Sequence, residues 1–264
     1  MSDRFKGNRI DPSAITASDA IGFIQRQVRI LSPCEAKHLV SALRSFLRYL
    51  LHQGHITGDV AVSLPKVPTW SLTTLPRFLP PGAVKKVLHL CNRRTTMGRR
   101  DYAILLLLAR LGLRAGEVAA LTLEDIDWEA GKITIHGKGR RSDPVPLPND
   151  VGSALVAYLK CDRPRCGSRR VFIRLSAPLT GFANYITVSS LVRRYLLKAK
   201  IDSAHKGAHQ FRHTLATDLL RQQCSLDEIG ELLRHKSPDT TAIYAKVDLN
   251  ALRRLALPWP GGAR

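Results

Sequence analysis

The chain has 264 residues, 44% of them hydrophobic, with 41 Lys and Arg against 21 Asp and Glu for a formal net charge of +20. That apolar share suffices for one large or two smaller globular domains, and the cationic excess points to a polyanionic partner, first of all nucleic acid. A membrane span is excluded from this reading: the most apolar run, YAILLLLARLGL at 102–113, is shorter than the ~18 residues a span needs and contains Arg110.

In chain order, the opening stretch MSDRFKGNRI has no apolar signal core, so an intracellular, cytoplasmic protein is expected. A short helix is predicted around 18–29 and a longer one over 32–54. The second opens with Ser32 as N-cap, Pro33 in the first turn and Glu35 closing a capping box. Leu39, Val40, Leu43, Phe46, Leu47, Leu50 and Leu51 recur on it at helical spacing, and Lys37, Arg44 and Arg48 supply a basic flank. The stretch LPKVPTWSLTTLPRFLPPG then carries five prolines and reads as a semi-rigid linker. The expected division is an N-terminal helical domain over 1–64, a Pro-rich linker over 65–79 and a second domain over 80–264.

Past the linker, AVKKVLHLC and RRDYAILLLLARLGL predict helices separated by a segment carrying Arg93, Arg94, Arg99 and Arg100. AGEVAAL predicts a further short helix, and KITIHGKGRRSDPVPL alternates as a β-hairpin around a Gly-containing turn. From Asn149 the pattern is helical again, with a Ser225/Glu228 capping box and a helix start at Ser237-Pro238. The fold expected is mainly α with one small sheet. Five scattered cysteines form no disulfide framework, and CDRPRC at 161–166 lacks a second ligand pair for zinc.

The stretch HQFRHTLATDLL at 209–220 raises the question of chemistry. His205, His209 and His213 are spaced to share one helix face, but the Glu of a metalloprotease helix is replaced by Gln210 and no third hard ligand follows. His209 and Arg212 are instead spaced to meet an anion at the helix N-terminus. Taken singly, Arg114 with Glu117 reads as a surface ion pair, Lys138 between two glycines as a solvated lysine, and Tyr244 as a core residue.

Their order carries more weight. LGLRAGEV around Arg114, GKGRRSDPVPL around Lys138, HQFRHTLAT around His209 and Arg212, and LRHKSPDTTAIY around His235 and Tyr244 are similar, in that sequence, to the motifs of the tyrosine recombinases, or phage integrases. The resemblance covers residues 80–250 closely and the helical arm loosely. It implies a SAM-like core-binding domain and a DNA breaking–rejoining catalytic domain clamping duplex DNA. It also implies a site-specific recombinase that forms a 3′-phosphotyrosyl bond without metal, cofactor or ATP, as a homotetramer assembled on DNA.

Carried over residue by residue, Tyr244 is the nucleophile, and Arg114 and Arg212 bind the non-bridging phosphate oxygens. His209 and His235 hydrogen-bond the phosphate, with His209 accepting the tyrosine proton. Lys138 protonates the departing 5′-oxygen, and Glu117 orients Arg114. Expected backbone-phosphate contacts are Lys37, Arg44, Arg48, Arg93, Arg94, Arg99, Arg100, Arg140, Arg141 and Arg234, with Arg163, Arg165, Arg169, Arg170, Arg193 and Arg194 as further candidates. Two departures stand out: Arg234 replaces the usual Gly before the second histidine, where a positive φ would matter, and the arm is short. The tail Leu249, Leu252, Leu255 and Leu257 forms an apolar stripe suited to a neighbouring protomer or to its own domain. Rival readings are a non-catalytic helix-turn-helix protein built on SLDEIGELLRHKSPDTTAIYAK, a topoisomerase, and an inactive relative.

Overall fold

In the computed structural model the chain divides into two units, Met1–Thr74 and Leu75–Arg264. Residues 12–66, 78–137, 142–203 and 207–247 are described. The predicted hairpin tip with Lys138, Arg140 and Arg141, as well as His205 and the leucine tail, lie outside them.

In the first unit, helix α1 (Ala17–Val28) begins at a capping box between Thr16 and Asp19, and α2 (Pro33–His52) at the predicted one between Ser32 and Glu35. The periodicity of α2 buries Val40, Leu47 and Leu50 on one stripe. Val40 and Leu47 close a small core with Ala20 and Ile24 of α1 and with Ala61 and Leu64 beyond α2. Phe46 lies beyond that stripe and is half-exposed. Arg44 turns inward instead of outward: its guanidinium donates to the carbonyls of Ala61 (3.5 Å) and Leu64 (3.1 Å), tying the segment after α2 back onto the helix.

The second unit is organised on α4 (Thr96–Leu111). Ala103 to Leu108 are buried without a gap, so this stretch of the helix is apolar on every side because other elements surround it. Each fully buried Leu or Ile of the run contributes about 1.5–3 kcal/mol. The helix starts three residues before the predicted 99. Thr95 caps it through its hydroxyl, and Gly98 in the first turn lies where a Cβ would collide with the Asn92 carbonyl. Around it lie α3 (Ala83–His89), α5 (Ala115–Ala120), α6 (Asn149–Cys161), α7 (Tyr185–Lys198) and α8 (His209–Arg221), followed by α9 (Leu226–Leu232) and α10 (Pro238–Ala242).

A three-stranded antiparallel sheet, β1 (Ile126–Asp127), β2 (Lys132–His136) and β3 (Ser142–Pro146), includes the predicted hairpin and adds a two-residue strand that the pattern did not signal. The register opposes Ile133 to Val145 and turns both into the core. Pro144 and Pro146 are tolerated because β3 is an edge strand. At the turn end of the hairpin, His136 bonds Asp125 (2.6 Å) and Ser142 (2.9 Å), fixing the last paired residues of the two strands.

Among the described residues no helix is long and apolar enough to cross a membrane. The helix-turn-helix reading does not fit the geometry. Its second helix, α10, has only five residues, and Thr241 on it is buried.

Candidate active site

The site is assembled where α4, α8 and α9 end or begin. Gly112 terminates α4 in the left-handed region (φ 57°), and a Cβ there would lie 2.6 Å from Leu233 Cδ2, so both conformation and space require glycine. Two residues on, Arg114 opens α5. Its backbone N–H donates to Glu117 Oε2 (2.8 Å) and its Nη1 donates to Glu117 Oε1 (2.7 Å), so one carboxylate fixes both the turn and the guanidinium.

Arg212 lies one turn into α8 and is 2% exposed. Its Nη1 donates to the Gly112 carbonyl (2.6 Å) and its Nη2 to the Leu233 carbonyl. The buried guanidinium thus pins together the turn that carries Arg114 and the turn that carries Arg234 and His235. Burial, and then the positive charges of Arg114 and Arg234, lower its pKa to about 10. Among the described residues Arg212 bonds no carboxylate, and the Glu117 charge offsets only part of that effect.

Tyr244 is also buried, 1% exposed, in a cluster with Ala216, Leu220, Ile229 and Leu233. Its hydroxyl lies 2.9 Å from His213 Nδ1, and its ring is stacked parallel to His235 at 6.5 Å. His235 in turn bonds Thr241 Oγ1 through Nδ1 (2.6 Å). His209 meets His213 edge-on, with ring centroids 4.6 Å apart. Burial lowers the pKa of His213 and of His235 to about 4, the neighbouring imidazole and arginines adding to it. Close packing, then Arg212 and Arg114, also holds His209 below the usual imidazole value, although that residue keeps an exposed edge. The His213 and His235 rings are therefore neutral at pH 7. Burial raises the Tyr244 phenol to about 12, opposed by the Arg212 charge.

Of the residues singled out in the sequence, Arg114, Glu117, His209, Arg212, His235 and Tyr244 converge here, and Lys138 lies outside the described residues. The histidine touching the Tyr244 hydroxyl is His213 rather than His209. The sequence placed His213 on the right helix face, but nothing local signals a contact across 31 residues. His209 and His213 gain no third metal-binding side chain among the described residues.

The other expected cations divide. Lys37 and Arg48 are exposed on α2, and Arg94 and Arg193 are exposed in the second unit. Arg93 covers the Tyr102 ring at 5.0 Å. Arg99 is bound by Asp162, Arg100 is buried against Asp101, and Arg163, Arg169 and Arg170 bond carbonyls or Glu124. Their burial or pairing spends donors that the sequence reading assigned to phosphates.

Comparison with known proteins gives a consistent result. Residues 77–250 match the Phage integrase family. The whole chain is 50% identical over 264 residues to a Sinorhizobium fredii protein bearing an integrase/recombinase name, y4rA, and covers 64% of it. Against tyrosine recombinase XerC of Oceanobacillus iheyensis it is 32% identical over 229 residues, covering 84% of this chain and 73% of that one. It spans about 60% of a second Sinorhizobium fredii relative, y4rF, so the two share less than two thirds of their own length with it. In fold it is similar to the XerH site-specific recombinase in a post-cleavage complex with its difH substrate, with TM-score 0.75 at 22% identity over 92% of this chain and 72% of that one. It is also similar to a lambda integrase dimer bound to a core site, with TM-score 0.63 at 19% identity over 87% and 82%.

Proposed function

Because the chain belongs to the phage integrase family, we propose that it is a site-specific DNA recombinase that breaks and rejoins duplex DNA through a 3′-phosphotyrosyl intermediate. The observation that carries this reading is the Tyr244 hydroxyl, bonded to a neutral imidazole beside the buried cation of Arg212.

A phosphodiester bound at this cluster gains negative charge on its non-bridging oxygens as the nucleophile approaches. Arg114, whose side chain is 44% exposed, meets those oxygens directly, and Arg212 holds the charge from below. Preorganised cations of this kind supply the largest part of such catalysis. At the resting pKa of about 12, ionising Tyr244 at pH 7 would cost about 7 kcal/mol, so its proton leaves as the O–P bond forms. An imidazole of the His209/His213 pair receives that proton. His235 donates to a phosphate oxygen, and Lys138 protonates the departing 5′-oxygen, leaving a tyrosyl phosphate diester and a free 5′-hydroxyl. Reversal onto a second 5′-hydroxyl restores the phosphodiester without ATP. Glu117 orients Arg114.

Exchange between two duplexes needs four such sites, hence a homotetramer assembled on DNA, with the chain cytoplasmic and bound at the nucleoid. The division into core-binding domain, linker and catalytic domain belongs to the same reading. Lys37, Arg48, Arg93 and Arg94 remain suited to backbone phosphates, which would make binding steeply salt-dependent.

The test uses nicked suicide duplexes of randomised sequence. Wild type is expected to form a covalent adduct resistant to denaturant, and Tyr244→Phe to form none while binding DNA with unchanged affinity. An adduct with Tyr244→Phe would refute the nucleophile.

A further inference from the structure

We propose that Arg234 is a positioning residue for the phosphate site, acting by sharing the Glu117 carboxylate with Arg114 so that Arg114 keeps positive charge for an anion. The inference rests on the recombinase reading and deepens it.

Arg234 occupies the residue after the C-cap of α9, where the chain reverses. Its N–H bonds the Glu231 carbonyl (2.9 Å) and the next N–H, that of His235, bonds the Gly230 carbonyl (2.9 Å). This closing turn needs the left-handed region, and Arg234 has φ 54°. Glycine adopts that conformation freely, whereas any residue with a Cβ meets its own carbonyl there, so the arginine is held against a steric cost. The side chain offers the compensation. It folds inward to 8% exposure, donates from Nη1 to the Leu232 carbonyl (3.2 Å), and pairs through Nη2 with Glu117 Oε2 (3.1 Å), itself 8% exposed.

Glu117 is therefore a single carboxylate between two guanidiniums. Arg114, on its other oxygen, is the exposed member of the trio. With glycine at 234, Glu117 would neutralise Arg114 alone. With arginine there, the group Arg114, Glu117 and Arg234 carries a net +1, and Arg212 raises it to +2. Arg234 stands close enough to Arg212 to be among the charges that depress its proton affinity. Because the positive charge of Arg234 faces Glu117 instead of solvent, its effect reaches an anion through Arg114 rather than by direct contact.

Arg234→Gly, Arg234→Met and Arg234→Lys separate this role from a structural one. The measurements are thermal midpoint, orthovanadate affinity by calorimetry, and the rate and half-saturation of adduct formation on nicked duplex. Arg234→Gly is expected to keep or raise the midpoint, because the turn loses its steric cost. It should weaken vanadate by about tenfold and slow adduct formation by a similar factor with little change in half-saturation. Arg234→Met should show the same losses and Arg234→Lys should recover at least half. Arg114→Met, by abolishing vanadate binding in wild type, locates the ion.

Wild-type vanadate affinity and cleavage rate in Arg234→Gly would overturn the proposal, as would losses that track a falling midpoint. So would a wild type that binds no vanadate, since no cationic excess would then exist. If wild type binds vanadate, Arg234→Gly weakens it and neither forms an adduct, the positioning role stands and the phosphotyrosyl reading falls.

Discussion

A buried arginine lies at each end of α4, Arg100 on the helix itself and Arg212 of α8 against its C-cap, and the two differ in how the charge is answered. At the N-terminal end, Arg100 is 9% exposed and Asp101 is fully buried. Arg100 donates from Nε (3.1 Å) and Nη2 (2.9 Å) to Asp101 Oδ1 and from Nη1 to the Ile173 carbonyl (3.2 Å). The other carboxylate oxygen takes Arg194 (2.5 Å) and the Tyr195 hydroxyl (3.3 Å), and Tyr195 is correspondingly pushed well above the usual phenol value by burial and by Asp101. The buried charge there is neutral, one arginine to one aspartate. At the C-terminal end, among the described residues, buried Arg212 and the inward-turned side chain of Arg234 face one carboxylate, Glu117, leaving +1 before exposed Arg114 is counted. The same residue type closes a paired network at one end and leaves net positive charge at the other. A +20 composition cannot distinguish them, because the difference is the local count of carboxylates.

The sharpest way to break this contrast is the same substitution at both ends. Arg100→Met leaves a carboxylate buried with half its partners and is expected to cost about 3–5 kcal/mol in urea unfolding, with the folded fraction cleaving normally. Arg212→Met removes a cation from among cations. It should cost only about 1–3 kcal/mol, for two carbonyls that lose a donor, while slowing adduct formation by about 10³-fold. Equal stability losses with cleavage intact in both would erase the distinction.

A smaller effect sharpens it through pH. The site imidazoles belong to the cationic end, and His213 and His235 are depressed to about 4 against an unfolded value near 6.5. The unfolded chain therefore binds protons first on acidification. Stability from these groups is fully present above about pH 6.5 and drains as the pH falls towards 4. Urea midpoints at pH 7.5 and 5 should fall less for His213→Gln than for wild type. An identical fall would mean that the acid sensitivity lies elsewhere.

The smallest effect is the control. Arg110 and Asp150 pair at 2.7 Å with side chains 58% and 41% exposed, so Arg110→Ala should change stability by under about 0.5 kcal/mol. A loss of several times that would show that exposed arginines on α4 are not interchangeable with solvated ones.

Much of this was legible in the letters. Ser32 with Glu35 and Ser225 with Glu228 mark helix starts because a hydroxyl and a carboxylate three residues apart satisfy neighbouring N–H groups, an interaction that needs no tertiary partner. The alternation across KITIH and the ordered motifs around Arg114, His209, Arg212, His235 and Tyr244 are equally local, and the motifs single out the residues that the fold brings together. The contacts between those members are not local. That His213 rather than His209 touches Tyr244, that Arg44 and Arg100 turn inward, and that Arg234 reaches Glu117 across 117 residues depend on where separate helix ends meet. Sequence determined which chemical groups this protein carries and on which elements. Only packing decided which charges lose their water and which keep it, because desolvation and pairing are set by the neighbours a fold brings within a few ångströms.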